Sequence, residues 1–159
     1  MYSFISKSAI ILVFSLLINN AFSQVTTGGN ASVTFTNGTY IDISPILGYK
    51  MNKLNIGVSP FYAYKQVGNA QNKNYTYGGR VFGQYVIYQG AYLNAEMEAT
   101  NTMINNARKW ILGIPLGAGF EYEIAKNTKA QCTILYDVLL DKNSLKDNPE
   151  IRGGVIYSF

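Results

Sequence analysis

Few residues in this chain of 159 could do proton or metal chemistry: nine Asp and Glu, thirteen Lys and Arg, one cysteine and no histidine. Imidazole is the side chain that exchanges a proton near neutral pH without large tuning. Its absence removes histidine-dependent hydrolysis and the commonest nitrogen ligand for transition metals. What remains are two carboxylate pairs at two-residue spacing, Glu96/Glu98 and Glu121/Glu123. Residues two apart on a strand share a face, so either pair has the parity for a two-carboxylate acid–base mechanism. The same parity suits a salt-bridged cluster in which basic partners neutralise each carboxylate, and the surrounding sequence favours that reading. Cys132 alone can neither close an internal disulfide nor build a metal site, and it reads as a small apolar residue facing lipid. Residues 141–150 (DKNSLKDNPE) are acid-bearing but lack the Gly and acid spacing of a calcium loop, so they read as a solvated external loop. No cofactor, metal or catalytic residue is expected.

The elements that must position these charges are strands. From residue 24 onward no stretch repeats apolar residues at three and four, and Gly, Asn and Thr recur too often for helix. Alternation replaces that pattern. In residues 40–51 the odd positions are Ile41, Ile43, Pro45, Leu47 and Tyr49, and the even ones are Asp42, Ser44, Ile46, Gly48 and Lys50. The same two-faced pattern recurs seven more times, with apolar rows running from Ala31 to Phe35, Leu54 to Tyr64, Tyr75 to Ile87, Ala91 to Ala99, Trp110 to Ile124, Ala130 to Leu140 and Ile151 to Phe159. None of these rows contains a charge or an amide. The opposite rows carry Asp42, Lys50, Arg80, Glu96, Glu98, Glu121, Glu123, Asp137 and Arg152 among Gly, Ser and Thr, with scattered large residues such as Phe61, Phe82, Leu135 and Ile156.

A clean apolar row on every strand, opposed to a polar row containing some bulk, fits a barrel with hydrocarbon outside and a filled polar interior. A soluble sandwich would leave polar substitutions at its edges. The links between strands run short at 37–38 and 51–52, long at 65–74, short at 88–90, long at 100–109, short at 126–128 and long at 141–150. That is the asymmetry of tight periplasmic turns and longer external loops. Asn37-Gly38 is a type I′ hairpin signal. Because an open sheet edge in lipid leaves backbone groups without partners, the last strand must pair with the first. The prediction is an all-β, eight-stranded antiparallel up-and-down transmembrane barrel.

Charges inside so narrow a barrel must be paired. The sequence therefore predicts a lumenal network of Asp42, Arg80, Glu96, Glu98, Glu121, Asp137 and Arg152. If Tyr88-Gln89-Gly90 is a three-residue turn with Gly90 left-handed, Arg80 faces Glu98; Asp137 and Arg152 have compatible parity for a second pair. Trp110, Tyr62, Tyr64, Tyr75 and Tyr77 fall near the outer rim, where an aromatic girdle belongs; a ligand platform is the other reading of the same rings.

Residues 1–23 read as a signal peptide: Lys7, an apolar run from Ala9 to Ile18, then Ala21 and Ser23 as the small residues before cleavage at Gln24. The run is too short for a spanning helix. Cleavage leaves 136 residues, one domain of twelve Lys and Arg against nine Asp and Glu with the charges scattered, which makes nucleic acid a poor partner.

The alternating end Ile151 to Phe159, with Tyr157 and the terminal Phe159, resembles the assembly signal that insertion machinery reads on outer-membrane barrels. Ser44-Pro-Ile-Leu-Gly-Tyr49 and Gly83-Gln-Tyr85 are similar to the small porin-like "outer membrane protein β-barrel" family of Bacteroidetes type, with OmpX/OmpA-like membrane domains as the wider comparison. The resemblance implies an outer-membrane location, contact with membrane lipid and the insertion machinery, a monomer, and no enzymatic activity. The function expected is a plugged barrel serving envelope integrity or surface contact through its outer loops. The alternatives are a narrow conduit or binding cavity for a small or apolar solute, as in OmpW-like barrels, and a soluble lipocalin-like carrier.

Overall fold

The structure is a computed structural model that describes residues 24–34, 39–66, 73–104, 107–139, 146 and 148–159. The signal-peptide segment, the Asn37-Gly38 turn and most of residues 141–150 lie outside the described residues. The described chain forms strands β1 (Val25–Thr34), β2 (Thr39–Met51), β3 (Leu54–Gln66), β4 (Lys73–Tyr88), β5 (Ala91–Ile104), β6 (Ala107–Gly113), β7 (Pro115–Ala125), β8 (Thr128–Asp137) and β9 (Glu150–Ser158). Every pairing is antiparallel, and β1 also pairs with β9, Thr26 opposite Ser158 and Ser32 opposite Arg152, so the sheet closes on itself, while β6 pairs with β5 alone among the described residues.

β6 and β7 are two halves of one barrel stave. Ala99 lies opposite Leu112 in the upper half and Ala95 opposite Leu116 in the lower, so the register against β5 runs through unbroken. The interruption falls at Ile114-Pro115, where proline has no N–H for the ladder. Counting that stave once gives the closed eight-stranded antiparallel barrel that the alternation predicts.

The alternation works as expected because a strand's side-chain period is two, so a single register fixes every residue's side. Ile41, Leu112 and Val155 face outward, with Leu112 69% exposed, while Arg80 and Glu96 are 2% and 7% exposed in the interior. Cys132 also faces outward. On β4, Tyr77 and Tyr85 bracket the apolar belt, about 26 Å apart along the strand and about 20 Å along the axis of a tilted barrel.

Two features differ from the sequence reading. The ladder runs into the links expected at 65–74 and 100–109: β3 continues to Gln66, β4 starts at Lys73, β5 continues to Ile104 and β6 starts at Ala107, so 100–109 is mostly strand. Where a hairpin rises past the apolar belt both of its faces are polar, so the contrast that marks a membrane strand disappears although the ladder continues. The β4–β5 turn is also tighter than expected. Tyr88 pairs with Ala91, leaving Gln89 and Gly90 as a two-residue turn with φ of 37° and 91°, and a bulge between Val86 and Tyr88 absorbs the extra residue. Turn and bulge together still align Arg80 with Glu98.

The interior holds large rings as well as charge. Tyr40, Phe61 and Ala63 pack together, as do Ile46, Phe82 and Ile156. Interior rings approach a glycine of the neighbouring strand closely: Phe61 is opposite Gly78, Phe82 opposite Gly57 and Tyr92 opposite Gly119. A Cβ at Gly119 would clash with Cζ of Tyr92, whose hydroxyl meets Thr133 Oγ1 at 2.5 Å across β7. Gly119→Val must therefore displace the ring and break that bond, and it should cost about 1–3 kcal/mol in urea unfolding of the folded barrel.

Candidate functional site: the charged lumen

The interior charges sit at one level because their strands present inward-facing positions there. β2 brings Asp42, β4 Arg80, β5 Glu96 and Glu98, and β9 Glu150 and Arg152. Arg80 binds two strands at once. Its Nε donates to Glu98 Oε2 at 2.7 Å, while Nη1 and Nη2 donate to the two oxygens of Asp42 at 3.2 and 2.7 Å. The guanidinium lies over the Phe61 ring, 4.1 Å from its centroid, a stacking geometry that a planar cation accepts.

Arg152 spans the lumen from β9 to β5. Its Nη1 donates to both oxygens of Glu96 at 2.8 and 3.0 Å, and Nε and Nη2 donate to Glu150 Oε1 at 3.2 and 3.1 Å. The link from Arg80 Nε to Glu96 Oε2, 3.9 Å, joins the two clusters. Lys146, from the connection between β8 and β9, reaches down to Glu98 and lies 3.6 Å from Glu150. Neutral donors complete the shell: Ser44 to Asp42 at 3.1 Å, Asn94 to Glu96 at 2.9 Å and Thr100 to Glu98 at 2.6 Å. Four carboxylates thus meet three cations in a region almost closed to water, the condition under which buried charge is tolerated.

The predicted residues do not all gather there. Asp42, Arg80, Glu96, Glu98 and Arg152 meet, and Arg80 faces Glu98. Glu121 lies nearer the end where β1 begins and β9 finishes and pairs with Lys129, while Glu123 is exposed. The expected Asp137–Arg152 pair does not form. The β8–β9 register sets Arg152 opposite Thr133, which leaves Asp137 four residues, about 13 Å, further along its strand. Asp137 instead repairs the break in the sixth stave: its Oδ1 accepts from Ile114 N at 2.8 Å and Leu139 N at 3.0 Å, and its backbone exchanges hydrogen bonds with the Asn148 side chain.

Glu150 and Lys146 are the members that sequence reasoning missed, because both were assigned to a solvated loop. Glu150 carried a usable signal, lying two residues before Arg152 and so on its face. Lys146 sits in no strand, and no periodicity marks it.

As chemistry, the arrangement neutralises its acids rather than arming them. Glu96 and Glu98 are each engaged by guanidinium or ammonium, and among the described residues no group of three or more His, Cys, Asp or Glu could hold a metal ion. Toward the terminal end the lumen becomes an amide and hydroxyl zone. Thr26 donates to Asn55 at 3.2 Å, Asn55 to Gln84 at 3.2 Å and Gln131 to Asn30 at 2.6 Å. A recess there, bordered by Lys50, Lys53, Glu121 and Lys129, has a volume of about 20 Å³, room for little more than a water molecule.

No protein-family model and no curated protein sequence matches the chain. Solved structures do. The N-terminal β-barrel domain of Pseudomonas aeruginosa OprF is similar over 87% of this chain and 99% of that one, with a TM-score of 0.59 at 16% identity. Neisserial surface protein A, NspA, is similar over 85% and 96%, with a TM-score of 0.53 at 17% identity. The fold is therefore that of the small eight-stranded outer-membrane β-barrels.

Proposed function

We propose that the chain is a non-enzymatic outer-membrane barrel whose interior is plugged, and that it acts through its wall and outer loops in envelope integrity or surface contact. The observation that carries this reading is the cross-lumen link from Arg152 on β9 to Glu96 on β5, joined through Arg80 to Asp42 on β2 and flanked by Phe61 and Phe82. A solute travelling along the axis would have to part ion pairs held at low water content, which costs several kcal/mol for each charge left bare.

The apolar outer wall and the fold shared with outer-membrane barrels support an outer-membrane location. Residues 1–23 would serve as the export signal, cleaved before Gln24, and the barrel would insert as a monomer. Tyr157 and Phe159, whose rings meet edge-to-face 5.0 Å apart at the end of β9, would present the assembly signal to the insertion machinery. The Bacteroidetes-type, OmpX/OmpA-like affiliation rests on the motifs at residues 44–49 and 83–85.

Planar-bilayer recording on refolded protein tests the plug. Bilayers containing inserted barrels should stay silent. Stepwise openings would overturn the plug and select the narrow conduit, while a mature chain that is a monomer without detergent would overturn the membrane reading and select the soluble carrier.

A further inference from the structure

The outer wall carries a cation that the lumenal network does not use, Arg108. Arg108 lies two residues beyond Trp110 on β6 and shares its parity, so it stands on the lipid side of the wall at the loop end of the apolar belt. Its surroundings are built. Asn101 of β5 lies directly between Tyr77 of β4 and Trp110 of β6 in the ladder, and the two rings meet edge-to-face above it at 6.3 Å. That covers Asn101 to 6% exposure on a face where its parity points outward. Arg108 Nη1 donates to Asn101 Oδ1 at 3.0 Å, and the guanidinium rests over the Tyr77 ring, 5.0 Å from its centroid.

An amide and an aromatic face thus orient the guanidinium. No ion pair joins it to a carboxylate of the described residues, and several of its five N–H donors remain for an outside acceptor. A cation at that depth is costly against hydrocarbon and well placed at headgroup level, where the planar fork matches phosphate oxygens. Below it the wall continues apolar through Leu112 and Met97, which suits an acyl chain.

The geometry points to Arg108, Tyr77, Trp110 and Asn101 as a binding site for a lipid with an anionic phosphate headgroup, the phosphate on the Arg108 guanidinium and an acyl chain along the wall below. This rests on the membrane reading above.

The chain's single tryptophan is part of the site and reports on it. Refolded protein is placed in phosphatidylcholine vesicles containing either brominated phosphatidylcholine or brominated phosphatidic acid at equal content, and Trp110 quenching is measured. Brominated phosphatidylcholine should quench, and brominated phosphatidic acid should compete for the site about fivefold better. Arg108→Gln should remove that preference, Arg108→Lys should keep only part of it, and Lys109→Gln, which removes a neighbouring charge, should keep it all. Equal quenching by the two lipids in the unaltered protein overturns the site while leaving the membrane reading intact. Absence of quenching by brominated phosphatidylcholine overturns the membrane reading itself, and this proposal with it. Equal loss of preference in Arg108→Gln and Lys109→Gln also overturns the site, because it would assign the preference to overall charge.

Discussion

Arg80→Met lowers the unfolding free energy by about 3–5 kcal/mol, read as a shift in the urea midpoint of the protein refolded in lipid vesicles. The size follows from what the substitution strands. Asp42 is wholly buried and accepts three hydrogen bonds from side chains, two of them from Arg80 and one from Ser44. With the guanidinium gone it is a desolvated carboxylate with one neutral donor. Glu98 is less affected because Lys146 and Thr100 still reach it. The loss should therefore be repaired mainly through Asp42: Arg80→Met with Asp42→Asn should recover more stability than Arg80→Met with Glu98→Gln. A double-mutant cycle isolates that coupling from the packing of the methionine on Phe61. A single-variant loss below about 1 kcal/mol, the range of exposed ion pairs, would mean that water reaches the network freely. The plug would then fail on energetic grounds even in a silent bilayer.

The parts of this molecule that were legible in its sequence are those governed by parity. Which of Arg80 and Val81 points inward is decided by a period of two, and an apolar outer row makes the contrast clean on every stave. Partners within the lumen were legible only where a turn fixed the register. The β4–β5 turn did so for Arg80 and Glu98 although its details were misjudged, because a two-residue turn with a bulge and a three-residue turn offset the strands equally. Between β8 and β9 the sequence offers no short turn signal, and parity alone left the partner of Arg152 free to slide by even steps, which is how Asp137 was mistaken for Glu96 and Glu150. The contact between Arg152 and Glu96 joins strands separated by two staves, and no local pattern records it. The outer rim was opaque for a different reason. Asn101 and Arg108 are polar residues on lipid-side positions, so they broke the alternation and were read as loop, when the broken pattern marked the depth at which the wall leaves hydrocarbon.

Moving the same cation one residue along β4 tests that boundary most directly. Val81 is 60% exposed on the outer wall, opposite Val58 on β3 and Met97 on β5, midway between Tyr77 and Tyr85. Val81→Arg should destabilise the refolded barrel by about 2–4 kcal/mol, measured by urea unfolding in lipid vesicles, because an arginine near the bilayer midplane has neither water nor a counter-charge within easy reach. Tyr77→Arg, at the rim, should cost about 0–1 kcal/mol for the charge, plus the loss of the ring's contacts with Trp110 and Arg108. Val81→Leu should be nearly neutral. The two mid-strand arginines then make one argument. Arg80 is indispensable because β2 and β5 hold carboxylates against it, and Val81→Arg is damaging because 180° of strand rotation replaces those carboxylates with hydrocarbon. In a barrel surrounded by water the exposed position would accept arginine within about 0.5 kcal/mol, so a neutral Val81→Arg would place water, not lipid, against this wall.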